Sequence, residues 1–306
     1  MTDLQVRIGK LKLRNPVLTA SGTAGYGEEL AEFFDLSRLG AMVMKGISLE
    51  PWRGNPTPRI TETPCGMINS IGLQNVGLEV FLKEKLPFVK KWDVPVIANI
   101  IGTSANEYVR LAGELDGAGV EAVELNVSCP NIKKGGIGFG RDMGSFVRLV
   151  GAVRKKVRNA ALIVKLTPDA PVAMFARAAE ESGADAVSLI NTIPAMAIDI
   201  NTRRPLIKNV IGGLSGPAVK PIAVRMVYQA SQAVKIPVIG MGGISGGADA
   251  IEFMLAGAAA VAVGSAIFRD PLAPLRVLEG IESYMRDRGI KNVSRITGGL
   301  RTGDDI

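Results

Sequence analysis

Histidine is absent from this 306-residue chain. Proton transfer near neutral pH therefore falls to cysteine, a carboxylate, lysine or tyrosine, because the side chain best suited to it is missing. Cysteine is scarce too. Cys65 and Cys129 could form at most one disulfide, and the expected state is two free thiols in a reducing, cytoplasmic setting. Aromatic residues make up only 5% of the chain, whereas apolar residues make up 47%. A core of Ala, Val, Ile and Leu beside abundant glycine suits parallel α/β layers rather than an all-β sandwich. No apolar run reaches the roughly 18–20 residues that span a bilayer. The opening Met1-Thr2-Asp3-Leu4-Gln5-Val6-Arg7 shows no apolar signal region. The formal charge is +7, but Lys and Arg are dispersed in short pairs such as Lys133-Lys134 and Arg203-Arg204. Without a basic stripe interleaved with aromatics, nucleic acid is disfavoured, and a solvated basic surface is the default. An anionic ligand or an acidic partner stays open.

What is present is alternation. Residues 4–14 alternate and turn at Gly9-Lys10, which predicts a short hairpin lid. Eight apolar, β-branched-rich runs follow, at 16–20, 41–44, 95–100, 120–125, 161–166, 184–190, 236–240 and 259–263. Helical-period stretches separate them, at 28–34, 78–91, 105–118, 143–157, 172–182, 218–234 and 248–256. Continuous apolar strands alternating with amphipathic helices predict one closed (β/α)₈ TIM barrel over residues 1–306 rather than an open doubly wound sheet. Several helices stop at a glycine before the next strand, as at Gly119 and Gly183. Two connections exceed what a minimal barrel needs: residues 48–76, rich in Pro, Gly and Asn, and residues 193–213, which read as a hairpin around Thr202-Arg203-Arg204. Long loops after barrel strands tend to be functional.

In such a barrel the strands' carboxyl ends converge on one mouth. Here they reach Thr19 and Ser21, Lys45, Asn99, Asn126, Lys165, Asn191 and Thr192, then Gly242-Gly243 and Gly264-Ser265. A single buried Asn or Lys is most often a satisfied structural residue. Polar side chains on six of eight ends imply a polar ligand, because each unpaired buried group costs about 1–3 kcal/mol. Glycine turns after strands seven and eight, each leading into a helix, predict a phosphate site built from backbone N–H groups and a helix N-terminus. It would take a phosphorylated substrate or the phosphate tail of a flavin. Lys45 and Lys165 could stabilise a reduced flavin ring, form a Schiff base or contact phosphate; spacing leaves all three open.

Three motifs carry a resemblance: Asn126-Val127-Ser128-Cys129-Pro130-Asn131, the run from Gly66 to Asn75 (Gly-Met-Ile-Asn-Ser-Ile-Gly-Leu-Gln-Asn), and Gly240-Met241-Gly242-Gly243-Ile244. Together they resemble the dihydroorotate dehydrogenase family. The stretches 54–59, Ile190-Asn191-Thr192 and 212–218 resemble its class 1B catalytic subunits in particular. Class 2 members are less similar, with serine where Cys129 stands and a membrane segment at the N-terminus. The resemblance runs from about residue 15 to about residue 271. It implies oxidation of (S)-dihydroorotate to orotate in pyrimidine synthesis, dependent on flavin mononucleotide (FMN). Cys129 would be the general base at C5 of the substrate, with hydride passing from C6 to the flavin. A free thiol with pKa ~8.5 near lysine suits that task.

By the same resemblance Lys45 would touch substrate and cofactor. Asn69, Ser70, Ile71, Gly72, Leu73, Asn126, Asn191 and Thr192 would hold the substrate. Ser21, Lys45, Gly46, Asn99, Asn126, Lys165, Ile190, Gly216, Gly242, Gly243, Gly264 and Ser265 would hold FMN. No metal site is implied. The class 1B likeness further implies a partner subunit carrying FAD and a [2Fe–2S] cluster that reduces NAD⁺, with a homodimer inside a heterotetramer. Consistently, two cysteines cannot ligate a cluster that needs four, and no Gly-x-Gly-x-x-Gly fingerprint follows a strand.

A class 1A enzyme reducing fumarate, a related dihydropyrimidine dehydrogenase, a non-redox phosphate-binding barrel and a flavin-carrying electron-transfer or scaffold subunit without its own substrate are the competing readings. The glycine-rich 133–140 after Cys129 reads as either a water-excluding lid or a plain surface loop. Cys65 reads as a small apolar filler.

Overall fold

The computed structural model describes residues 2–127, 139–140 and 142–303. The chain opens with an antiparallel hairpin, β1 (Val6–Ile8) and β2 (Leu11–Leu13), turning at Gly9 with φ 58°. Barrel strands β3 (Val17–Thr19) and β4 (Met42–Val43) follow, and then β5 (Ile60–Thr63) and β6 (Gly66–Asn69) of the first long connection. The barrel continues through β7 (Val96–Ile100), β8 (Ala122–Asn126), β9 (Ala161–Lys165) and β10 (Ala186–Leu189). The second connection contributes β11 (Ile193–Met196), β12 (Ile198–Asp199), β13 (Arg204–Pro205) and β14 (Ile211–Ser215). Strands β15 (Val238–Met241) and β16 (Ala258–Val263) complete the set.

The eight expected apolar runs all form parallel strands, in the order β3-β16-β15-β10-β9-β8-β7-β4. Nearly every residue in them is buried, as expected for strands covered on both faces. The seam between β3 and β4 closes through a parallel Leu18–Ala41 bridge and a Gly40 N–H donating to the Val17 carbonyl at 2.8 Å. Thr19, one of the expected mouth residues, serves this seam instead. Its fully buried hydroxyl accepts from the Val43 N–H at 3.0 Å and donates to the Val43 carbonyl at 3.3 Å. The architecture is a (β/α)₈ barrel.

Most helices fall where the periodicity places them: Ala105–Gly117, Met143–Arg154, Val172–Glu181, Lys220–Ser231 and Gly247–Leu255. Gly119 and Gly183 adopt φ 74° and 92°, the left-handed stop expected of them. The helix expected at 28–34 shortens to Glu28–Ala31. That expected at 78–91 passes through a wide turn at Phe81–Lys85 just before Pro87, which cannot donate to the helix ladder. Helix Ala273–Asp287 was outside the expected set, although Leu275, Leu278, Ile281 and Met285 give it an apolar face. Pro274 stands in its first turn, where proline is well tolerated.

One finding corrects the expected organisation and a second adds to it. The N-terminal hairpin is no lid over the mouth. Lys10 Nζ donates to the Arg158 carbonyl at 2.7 Å, Arg14 reaches Asp93 at 2.6 Å, and Gly9 lies against Asp185. Those residues precede β9, β7 and β10, so the hairpin closes the opposite, amino-terminal end. Val6, Ile8, Leu11 and Leu13 are buried there, each burial contributing roughly 1.5–3 kcal/mol. Second, the two long connections are not separate. They pair into one antiparallel sheet, β11-β14-β6-β5, with Asn69 opposite Gly213 and Met67 opposite Ser215. The expected hairpin around Arg203 forms as β12–β13 beside it. Among the described residues no helix is long and apolar enough to cross a membrane.

Candidate active site

The carboxyl ends of the barrel strands and the connection sheet enclose a cavity of about 670 Å³, a size typical of cofactor and small-molecule sites. It is lined by Ser21, Lys45, Gly46, Asn69, Ile71, Gly72, Leu73, Asn99, Asn126, Lys165, Ile190, Asn191, Thr192, Gly216, Gly242, Gly243, Gly264 and Ser265. Apart from Thr19 at the seam, every expected site residue is therefore on its wall, with two exceptions. Ser70 is fully buried behind the wall, and Cys129 lies outside the described residues, as does most of the glycine-rich 133–140 segment. Phe139, near the end of that segment, packs edge-on against Tyr108, whose hydroxyl donates to the Asn126 carbonyl at 2.9 Å.

The first connection is shaped by its own amides. Asn55 donates its backbone N–H to the Ile71 carbonyl at 2.9 Å and its side-chain amide to the Ser70 carbonyl at 2.8 Å. Gly54 and Gly72, at φ 76° and 74°, permit this close pairing. The Ser70 hydroxyl finds no hydrogen-bond partner among the described residues. Asn69 and Thr192, from different connections, meet at β14: Asn69 Nδ2 donates to the Gly213 carbonyl at 3.3 Å, and Thr192 occupies the space a Gly213 side chain would need.

Two lysines face this cavity, which Arg269 also lines. Lys165 is almost wholly buried and donates to Ser21 Oγ at 2.9 Å. Burial pushes the Lys45 ammonium below its usual pKa, the nearby Arg59 guanidinium pushes it further, and Glu29 opposes both. Arg59 itself is anchored to Gln74 Oε1 at 2.5 Å.

Below the mouth lies a side chain that the sequence reading missed. Glu124 is 1% exposed, accepting from Ser188 Oγ at 2.6 Å and Asn99 Nδ2 at 2.5 Å. Asn99 Oδ1 in turn accepts from Asn126 Nδ2 at 3.3 Å. The available signal was the second of two carboxylates in the apolar run 120–125, standing two residues before Asn126 and so on the same strand face.

On the opposite side stand the glycine turns. Gly242 and Gly243 have φ 124° and 79°, and Gly243 approaches the Gly216 carbonyl so closely that a Cβ would sit 2.8 Å from it. A Cβ on Gly264 would meet only Ala20 Cβ, at 3.6 Å, so protein packing does not fill that space. Ahead of helix Gly247–Leu255, Asp249 Oδ2 accepts from the Ser245 N–H at 2.9 Å, the Ser245 hydroxyl at 2.9 Å and the Gly246 N–H at 3.0 Å.

The amide and lysine wall and the open glycine side together fit a ligand with a polar planar ring at one end and a phosphate at the other. The dihydroorotate dehydrogenase family model matches residues 3–285. The chain is 55% identical over 300 residues to "Dihydroorotate dehydrogenase B (NAD(+)), catalytic subunit" of Thermoanaerobacter sp. (strain X514), covering 98% of this chain and 99% of that one. The protein of the same description from Geobacter sp. (strain M21) is 53% identical over 300 residues, with 97% and 98% covered. A solved dihydroorotate dehydrogenase from Eimeria tenella, in complex with ferulenol, shares the fold with TM-score 0.83 at 23% identity, covering 97% of this chain and 88% of that one. This chain belongs to the dihydroorotate dehydrogenase family.

Proposed function

We propose that the chain is the FMN-containing catalytic subunit of a dihydroorotate dehydrogenase that oxidises (S)-dihydroorotate to orotate in pyrimidine synthesis. Its electrons pass through a partner subunit holding FAD and a [2Fe–2S] cluster to NAD⁺, in a heterotetramer built on a dimer of this chain. One observation carries the reading: amides, two lysines and two glycine turns meet on one cavity in a chain over half identical to catalytic subunits of that name.

The residues divide the work. Asn69, Asn126, Asn191 and Thr192 offer donors and acceptors to a ring rich in carbonyl and N–H groups, and Lys45 attracts its carboxylate. Ile71, Gly72 and Leu73 form the wall along that ring, with Ser70 behind it. Lys165 and Ser21 hold the polar edge of the flavin with Gly46, Asn99 and Ile190. Gly216, Gly242, Gly243, Gly264 and Ser265 cradle its phosphate. When bound, FMN supplies the acceptor for the hydride leaving C6. Cys129 takes the C5 proton as thiolate.

The test is anaerobic mixing of purified protein with dihydroorotate. Cys129→Ser is expected to retain FMN and to slow bleaching of the flavin at neutral pH by about 100-fold or more, the ordinary worth of a general base. Unchanged bleaching would remove Cys129 from the role. Turnover of dihydrouracil alone would sink the substrate assignment. Reoxidation by fumarate without a partner subunit would sink the NAD⁺ assignment.

A further inference from the structure

Glu124 sits one layer below the cavity. It shares the inward face of β8 with Asn126 and stands directly opposite Asn99 in the β7–β8 register. Asn99 and Asn126 line the cavity, whereas Glu124 and Ser188 do not. A carboxylate buried in an apolar barrel is poorly explained by stability, since well-packed apolar groups commonly do as well or better.

Its chemistry explains it differently. A carboxylate only accepts hydrogen bonds, whereas an amide has a donating and an accepting end. Because Glu124 accepts from Asn99 Nδ2, the Asn99 amide must turn its NH₂ downward and its carbonyl away from Glu124. That carbonyl then accepts from Asn126 Nδ2, which orients the second amide too. Ser188 Oγ holds the other carboxylate oxygen and so fixes the carboxylate itself. We infer that Glu124 is a positioning residue: through Asn99 and Asn126 it sets which ends of two amides the mouth presents to the flavin and substrate rings. The inference rests on the reading that the cavity binds FMN.

Glu124→Leu, Glu124→Gln and Ser188→Ala test it by FMN titration of the flavin-free protein, the visible spectrum of bound flavin and thermal melting. Leucine leaves both amides free to flip, and FMN affinity is expected to fall more than about tenfold with a shifted flavin spectrum. Glutamine keeps the shape and can donate to Ser188 Oγ, which accepts as well as donates, while its carbonyl still accepts from Asn99, so affinity and spectrum are expected within about twofold of the parent's. Ser188→Ala keeps the Asn99 bond and should change affinity by less than about twofold. A structural role alone would move the melting temperature and leave the bound spectrum unchanged. Should the leucine variant fail to fold, Glu124→Met, which keeps the length without a strong acceptor, decides alone: wild-type affinity and spectrum in that variant overturn the inference while the flavin reading stands. Failure of the unaltered protein to take up FMN overturns both.

Discussion

Lys45 shows how a single residue trades stability for chemistry. Its ammonium is drawn away from water beside Arg59, and burial and that neighbouring charge together lower its pKa from the model-compound value of 10.5. The fold thus disfavours the protonated form. Below the folded pKa the protonated side chain costs stability, and the cost fades as pH rises through the folded pKa toward the unfolded value. Lys45→Met is therefore expected to raise the melting temperature of the flavin-free protein at pH 7 by about 2 °C. The gain should shrink toward pH 10, while dihydroorotate oxidation collapses. A lower melting temperature at pH 7 would show that Lys45 is paired rather than penalised. Residues such as Lys45, Asn99 and Lys165 were legible because a polar side chain ending an apolar strand has one place to go in a barrel. Glu124 was not, because its partners Asn99 and Ser188 come from other strands. Cys65, expected as an apolar filler, is exposed in the turn between β5 and β6, where a small residue can serve with its backbone: its carbonyl accepts from the Ala218 N–H at 3.0 Å.

Among the elements, the turn after β15 is built by its helix. Burial alone would raise the Asp249 pKa, but Lys220, at 2.9 Å, and the Ser245 donors outweigh it and hold the carboxyl below its usual value. The charged carboxylate thereby ties Ser245 and Gly246 to the helix and fixes the Gly242–Gly243 turn ahead of them. Asp249→Asn removes charge and one acceptor oxygen. It is expected to lower FMN affinity about fivefold or more and stability by about 1–3 kcal/mol at neutral pH, read by flavin titration and denaturant unfolding. Because the folded pKa is depressed, that stability is present above the unfolded carboxylate pKa near 4 and is lost as pH falls through the folded value. The gap between variant and parent should therefore close in acid. Barrel strands were readable one by one, since each buries both faces. The connection sheet was not, because Asn69 and Gly213 pair across 144 residues and neither segment alternates strongly enough to name its partner.

At the scale of the molecule, the barrel's two ends do different work. The hairpin closes one end with aliphatic side chains, and every polar strand terminus save the Thr19 seam is gathered at the other. That mouth has two unlike halves: amides and lysines from β4 and from β7 to β10, glycine backbone after β15 and β16. A ligand spanning both halves should stabilise the whole fold by mass action, since their strands belong to one closed sheet. FMN at 100 times its dissociation constant contributes about 2.7 kcal/mol, or about 4 °C in melting temperature for a chain of this length. Riboflavin has the same ring and no phosphate. If the glycine turns hold phosphate, riboflavin at the same concentration should raise the melting temperature by less than about 1 °C, because it engages only the amide half. Equal shifts from both would leave the glycine turns without a ligand and return them to ordinary turn chemistry.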